Sequence, residues 1–383
     1  MSVTIYILLS ILILSIIIQL GFYFLPYTTI IRYTKKIKKG NISHTIDQPP
    51  VSVIICARNE SNNLSRFLPL VLEQDYRDYE VIIVNDGSCN DTDDLIKKLQ
   101  KDYNNLYITN IPQDTRIISH KKLAITVGIK AAKNEILLFT DADCRPLTPN
   151  WIKTMVRNFD NQTEFVLGHG NYYRENGFIS KLVSYDTLTI AMQYMGFALL
   201  GYPYMGVGRN MAYRKSTFFN HKGFAGFLHI ASGDDDLLIN AFGKKHNTRI
   251  EPSCEAETLS LPKTTFRDWY YQKLRHLSTV DVYKSDSKMW IGLEPLSRGL
   301  FYLTIILLAI LGYNNTIVLA IAASSFLFRF LIQFVIINLT AKVYNDKGFG
   351  LSIILFDILL PLITLYILTV DKIFRRKAKF IWK

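Results

Sequence analysis

The chain has 383 residues, a formal net charge of +12, and 49% hydrophobic beside 20% charged residues. That is room for one large α/β domain plus membrane segments, with apolar residues crowding both ends and charges the middle. Arg32, Lys35, Lys36, Lys38 and Lys39 follow the first apolar run, and Lys372, Arg375, Arg376, Lys377 and Lys379 follow the last, which suits juxtamembrane anchoring and argues against a nucleic-acid groove.

The first element, Val3–Pro26, is almost wholly apolar and long enough for the roughly 30 Å hydrocarbon core. No basic residue precedes it and no small-residue cleavage signature ends it, so it reads as a retained anchor over residues 1–28, followed by a basic linker over 29–49. The basic cluster after it is expected to hold the next domain at the cytoplasmic face.

Residues 50–284 alternate between strand and helix signals. Val51–Cys56, Glu80–Val84, Leu106–Thr109, Glu135–Thr140 and Glu164–Leu167 read as strands. Helical stretches over Ser61–Gln74, Thr92–Lys101 and Lys122–Lys133 separate them, and Thr148–Pro149 reads as the cap and first residue of another helix. This order implies a mostly parallel sheet covered on both faces, with ligands beyond the carboxyl ends of the strands. The four cysteines, Cys56, Cys89, Cys144 and Cys254, form no zinc spacing and read as free thiols.

Three polar loops stand at strand ends: Ala57-Arg58-Asn59-Glu60, Asn85-Asp86-Gly87-Ser88 and Asp141-Ala142-Asp143. A glycine-rich dinucleotide fingerprint is absent after the first strand, which excludes a typical dinucleotide-dependent dehydrogenase. Two carboxylates one residue apart can share a hard divalent cation such as Mg2+ or Mn2+ with phosphate oxygens and water. A bare D-x-D is also found in solvated turns, but here the apolar run Ile136–Phe139 drives it to the end of a buried strand. Farther on, Asp234, Asp235 and Asp236 follow Gly233; adjacent acids raise one another's pKa, which suits a proton acceptor, and equally suit the start of the helix expected over Leu237–Phe242.

These motifs, in this order, resemble the family 2 glycosyltransferases of the GT-A fold. The resemblance is to the membrane-integrated branch that includes hyaluronan, cellulose and poly-N-acetylglucosamine synthases and ceramide glucosyltransferase. It covers roughly Val51 to Thr279. It implies an α/β, Rossmann-like catalytic domain with a mostly parallel sheet flanked by transmembrane helices. It further implies inverting, metal-dependent transfer from a nucleotide sugar, expected to be UDP-linked, to a lipid or glycan acceptor at the membrane. By resemblance Ala57, Arg58, Asn59, Glu60 and Asp86 hold the nucleotide, and Lys121 of Lys121-Lys122-Leu123-Ala124-Ile125 lies by the diphosphate. Asp143 ligates the cation and Asp141 contacts cation or ribose, while Asp235 is the base beside Asp234. Gln272-Lys273-Leu274-Arg275-His276 resembles the branch's Q-x-x-R-W motif, with Gln272 and Arg275 toward donor and acceptor. His276 departs from that motif and weakens a processive reading more than transfer itself; the roles of His276 and Asp236 stay open.

The segment Met205–Asn210 resembles the family's acceptor-side glycine-rich stretch, although a plain loop has the same pattern. Tyr185, Tyr194, Tyr202 and Tyr204, with Trp269, Tyr270 and Tyr271, suit either a headgroup-level acceptor pocket or ordinary core packing. Residues 285–371 hold the candidate spans Leu296–Tyr313, Thr316–Leu339 and Phe349–Val370, and 372–383 a basic tail. Three crossings would leave that tail opposite the catalytic domain, against the positive-inside rule, so one segment is expected to be interfacial or re-entrant; Phe349–Val370 carries Asp357 and Pro361, and Leu296–Tyr313 is short. A processive polysaccharide synthase and a non-catalytic membrane assembly or transport subunit are the competing readings.

Overall fold

The structure, a computed structural model, describes residues 2–112 and 119–374, with side chains through residue 370. The tail residues Arg375, Arg376, Lys377 and Lys379 lie outside the described residues.

The chain begins with α1 (Val3–Phe22), passes through a π-helical turn at Tyr23–Tyr27 that contains Pro26, and continues as α2 (Thr28–Lys38). The stretch read as a basic linker is therefore helical through Lys38. Its two faces differ: Ile30, Ile31 and Thr34 are buried, while Arg32, Lys35, Lys36 and Lys38 face outward. Packing of that apolar stripe, which adjacent lysines hide in a linear reading, makes the helix.

The region after α2 alternates as expected: β1 (Val51–Ala57), α3 (Ser61–Leu72), β2 (Tyr79–Asp86), α4 (Thr92–Asp102), β3 (Leu106–Ile111), α5 (His120–Ala131) and β4 (Ile136–Asp141). Then come β5 (Cys144–Pro146), α6 (Trp151–Val156), β6 (Phe165–Gly168), β7 (Gly170–Tyr172), α7 (Phe178–Leu199), β8 (Met211–Arg214), α8 (Lys215–Asn220), α9 (Asp236–Phe242), β9 (Thr248–Glu251), β10 (Thr258–Ser260) and α10 (Phe266–Leu277). The helix expected to start at Pro149, with Thr148 as its cap, starts instead at Trp151. Thr148 Oγ1 donates to the Glu255 carbonyl and accepts from the Asn150 amide, so it closes the turn before the helix.

Seven strands form one sheet in the order β3-β2-β1-β4-β8-β6-β9. β3, β2, β1 and β4 run parallel, β8 runs antiparallel to both β4 and β6, and β9 is parallel to β6. Strand residues alternate between two cores. Ile54, Ile82, Val84, Leu137 and Phe139 pack with Ile125 and Ile129 of α5 on one face. Val53, Ile55, Val81, Ile83 and Leu138 pack with α3 and α6 on the other. Apolar β-branched runs buried on both faces are what a parallel sheet requires. Helix α5 lies close because Gly128 has no side chain: a Cβ there would stand 2.7 Å from Ile54 Cγ2.

Register brings three strand ends level. Ala57 pairs with Asn85, and Cys56 with Asp141. The antiparallel β8 starts beside the end of β4, Met211 opposite Phe139, which carries the glycine-rich loop to the same edge. A small sheet, β5-β10-β7, extends from the residue after Asp143.

Among the described residues four helices are long and apolar enough to cross a membrane: Val3–Lys38, α11 (Ser285–Leu311), α12 (Thr316–Val343) and, over residues 352–370, α13 (Ser352–Phe374). The span expected at Leu296 begins eleven residues earlier, with Pro295 inside the helix. Buried among these helices is a polar cluster. Arg329 meets Asp357 at 2.7 Å and donates to Gln19 Oε1 at 2.8 Å, while Arg298 reaches Asp357 at 3.1 Å and Glu294 at 2.7 Å. Two cations face two carboxylates, so the charges balance where water is scarce. Gln333 donates to Asp357 and to Tyr185 of α7, tying this bundle to the catalytic domain. Tyr185 and Tyr194 are buried and Tyr204 is 5% exposed, so for them core packing prevails; Tyr202 and Tyr271 are exposed.

Candidate active site

The carboxyl edge of β1, β2 and β4 gathers the acidic residues singled out by motif. Ser119 caps α5 by accepting from the Lys122 amide, and the first turn then delivers consecutive side chains to two places. His120 Nδ1 lies 3.3 Å from Asp86, and Lys121 Nζ lies 3.1 Å from Asp141 Oδ1 and 3.2 Å from Asp234 Oδ2. One ammonium thus bridges the end of β4 and the loop before α9. Lys122 does different work: its buried Nζ donates to the Phe227 and Ile230 carbonyls and fixes the preceding loop.

Asp235 lines the same cavity as Lys121, Asp141 and Asp234. Its Oδ2 accepts from the Gly208 amide at 2.6 Å and its Oδ1 from the Asp236 amide at 2.8 Å. Gly208 has to be small, since a Cβ there would stand 3.3 Å from Asp235 Oδ2. Burial, then the neighbouring Asp234 and Asp236, push the Asp235 carboxyl up to about 7, against Lys121 and the Gly208 amide. Burial works against Lys121, but Asp141, Asp234 and Asp235 hold its ammonium firmly charged, well above the usual lysine value. Burial would also raise Asp141, yet Lys121, with Arg209 and Arg275 beyond it, keeps it below the ordinary carboxylate value.

Asp236 is structural. Its Oδ2 accepts from Thr279 and from the Tyr283 hydroxyl at 2.6 Å, and its Oδ1 from the Leu237 amide at 2.7 Å. It joins the start of α9 to the segment that leads into α11.

Asp141, Asp143 and Cys144 present possible ligand atoms within 4.8 Å of one another. Burial and the two aspartates hold the Cys144 thiol well above its usual value, so it stays protonated and suits a hard cation poorly. The carboxylates of Asp141 and Asp143 suit Mg2+ or Mn2+. Glu60 stands near them; its carboxyl is raised by burial and then by Asp143, and it accepts from Asn63 at 2.6 Å.

The remaining motif residues divide between cavity and scaffold. Arg58 reaches the buried Asp86 at 3.4 Å. Asn59, in the left-handed region at φ 57°, spends its side chain on the Cys89 amide at 2.9 Å and so ties two strand-end loops together. Ala57 closes β1 and is fully buried. Gln272 donates to the Tyr172 hydroxyl at 2.7 Å, and the Arg209 guanidinium lies 4.3 Å over the Tyr172 ring. Arg275 adds its field to Asp141 and Lys121. His276, with an exposed edge, is lowered to about 3 by crowding in the cleft and by Arg275, Arg209, Lys273 and Lys121.

His120 and Tyr172 were missed by the motif reading; Gly208 and Arg209 stood in the glycine-rich segment it singled out, but without their contacts to Asp235 and Tyr172. His120 directly precedes Lys121 and could have been flagged by position; Tyr172 carries no signal, because only the fold brings it to Gln272.

Comparison with known proteins is consistent with this arrangement. Residues 52–229 match the model of the glycosyl transferase family 2, and so form a family 2 glycosyltransferase domain. Asp234, Asp235, Gln272 and Arg275 lie beyond the matched residues. Among curated relatives, glycosyltransferase AglE of Haloferax volcanii is 32% identical over 132 residues, covering 34% of this chain and 42% of the relative. The Escherichia coli UDP-Glc:alpha-D-GlcNAc-diphosphoundecaprenol beta-1,3-glucosyltransferase WfaP is 29% identical over 34% of this chain and 48% of its own length. The Staphylococcus epidermidis poly-beta-1,6-N-acetyl-D-glucosamine synthase is 31% identical over 24% of this chain and 21% of its own. The chain thus spans less than half the length of these relatives. The mannosyltransferase PcManGT of Pyrobaculum calidifontis, solved with GDP-Man and Mn2+, shares the fold at a TM-score of 0.56 and 16% identity, covering 88% of this chain and 99% of that one.

Proposed function

We propose, from the premise of a family 2 glycosyltransferase domain, that the protein transfers a sugar from a nucleoside diphosphate donor to a hydroxyl of a membrane-associated lipid or glycan, with inversion. The observation that supports this reading is the Lys121 bridge between Asp141 and Asp234, in a cavity that Asp235 also lines.

Arg58, Asp86 and His120 form the nucleoside side of that edge. Asp143 and Asp141 would hold Mg2+ or Mn2+, which when bound supplies positive charge to the diphosphate. Lys121 and Arg275 offer further positive charge to the departing diphosphate. The acceptor oxygen bonds to the anomeric carbon as the bond to the diphosphate breaks; the electron pair leaves with the nucleoside diphosphate and the hydroxyl proton passes to Asp235. Attack from the face opposite the leaving group inverts the centre. The amides of Gly208 and Asp236 take one lone pair on each Asp235 oxygen and aim the carboxylate without an ion pair of its own.

Apolar helices of spanning length at both ends, and relatives whose names include a lipid diphosphate acceptor and a polysaccharide, support a membrane-associated acceptor. The placement of basic residues supports a cytoplasmic catalytic domain at the cell membrane. A processive synthase is the second reading; His276, where the related motif has tryptophan, favours single transfer.

The test is release of nucleoside diphosphate by the purified protein with Mn2+ and a panel of nucleotide sugars. Slow metal-dependent release from one donor supports the reading, and Asp235→Asn should abolish transfer while leaving donor affinity nearly intact. Release from none overturns it; loss of donor binding in Asp235→Asn removes the base assignment alone.

A further inference from the structure

A second cavity lies well outside the acidic one, between α2, the end of α7 and the edge strand β9. Its charged lining is wholly basic: Arg32 and Lys36 from α2, Lys245 from the segment leading into β9, and Arg249 from β9 itself. Arg249 is partly engaged, 3.0 Å from Asp160. Glu251, the residue after Ile250 of the lining, is taken by Arg157 at 2.9 Å. Among the described residues the side chains of Arg32, Lys36 and Lys245 form no ion pair or hydrogen bond. Arg32 and Lys36 stand four residues apart on one helix face, where like charges repel. The stem of the exposed Lys245 runs beside Gly201, where a Cβ would stand 2.9 Å from Lys245 Cδ.

Four cations ring one open void, three of them without a counterion, which makes it a site of positive potential that an anion can enter from solvent. Position narrows the choice. Helix α2 continues the first apolar helix without a gap, so Thr29 and Arg32 stand roughly 3–8 Å beyond Tyr27 at 1.5 Å per residue, level with a headgroup layer of about 5–8 Å on each side of the hydrocarbon core, and Lys36 reaches past it. The remaining walls include Tyr33, Leu199 and Ile250, apolar surface suited to a glycerol backbone. We propose that this cavity binds the phosphate of an anionic phospholipid and so seats the catalytic domain on the bilayer.

The experiment uses the full chain in nanodiscs of neutral phosphatidylcholine, with and without phosphatidylglycerol, and reads thermal stability and the lipid retained on gentle extraction by native mass spectrometry. Phosphatidylglycerol should raise the melting temperature and co-purify with the wild type. The variant R32Q/K36Q/K245Q should lose that retention by roughly a hundredfold. A variant with equal charge loss outside the cavity, K35Q/K38Q/K39Q, should lose about tenfold less. Equal loss in the two variants, or no preference for the anionic lipid in the wild type, overturns the proposal. Inorganic phosphate is titrated in detergent at constant ionic strength; an equal stabilisation there assigns the cavity to free phosphate instead and overturns the lipid.

Discussion

The amide of Gly208 is 2.6 Å from Asp235 Oδ2. A methyl group on Gly208 would crowd that oxygen at 3.3 Å. Gly208→Ala should therefore tilt the Asp235 carboxylate and lower turnover by about tenfold or more while leaving donor binding nearly unchanged, because misplacing a catalytic group is costly in rate. Steady-state kinetics with a matched thermal melt is the check; unchanged turnover would mean that Asp235 does not act from this position.

A carboxylate that accepts a proton has to be ionised first. With Asp235 pushed up to about 7, kcat/KM should rise with pH, tenfold per unit below about 7, and level off above it. The sign for stability is opposite. Between the unfolded carboxyl value and about 7 the folded protein holds the proton the unfolded chain has lost, so ionisation costs stability as pH rises. Asp235→Asn should then be more stable than the wild type above about pH 7, by up to about 4 kcal/mol, and gain nothing near pH 4. Calorimetry at both pH values separates this from a general effect.

Lys121 neutralises Asp141 and Asp234 together. Its replacement by methionine leaves three carboxylates without their ammonium. Transfer should fall by about a hundredfold or more, while the stabilisation produced by Mn2+ alone should grow, since Asp141 no longer shares its charge with an ammonium. Thermal shift against Mn2+ without any nucleotide is the measurement. A smaller Mn2+ effect than in wild type would place the cation away from Asp141.

Asp357 holds both Arg298 and Arg329 among the apolar helices. Removing one member of a buried network strands the others, which costs about 3–5 kcal/mol. Asp357→Leu should melt markedly earlier in detergent, and R329M/D357L, which leaves Arg298 paired with Glu294, should recover much of the loss. Equal melting of single and double variants would show the cluster to be dispensable.

The strands that carry the site could be read from the chain because β1, β2 and β4 are runs such as Val-Ile-Ile and Ile-Leu-Leu-Phe, apolar enough to be buried on both faces. Their loops followed directly, since a parallel sheet sends its binding residues to one edge. The three-residue strands β5, β7 and β10 left no such trace. Their pairing comes from contacts between residues far apart, Leu259 with both Arg145 and Asn171. Asp141, Asp234, Asp235 and Lys121 were each visible as motif residues. That one lysine joins two of the acids was not, because it depends on where α5 begins relative to β4. Asp236 shows the limit from the other side: identical in type to its neighbours, it is spent on Thr279 and Tyr283.

Helix α1 and helix α2 are joined through a π-turn, and Gly196 of α7 lies so close to it that a Cβ would stand 2.2 Å from the Pro26 carbonyl oxygen. A domain hung on a slack tether could sweep a volume of solvent and sample acceptors of many lengths. A domain bolted to its anchor works like a drill press: its tool stays at one height, and only a workpiece that presents its hydroxyl at that height is processed.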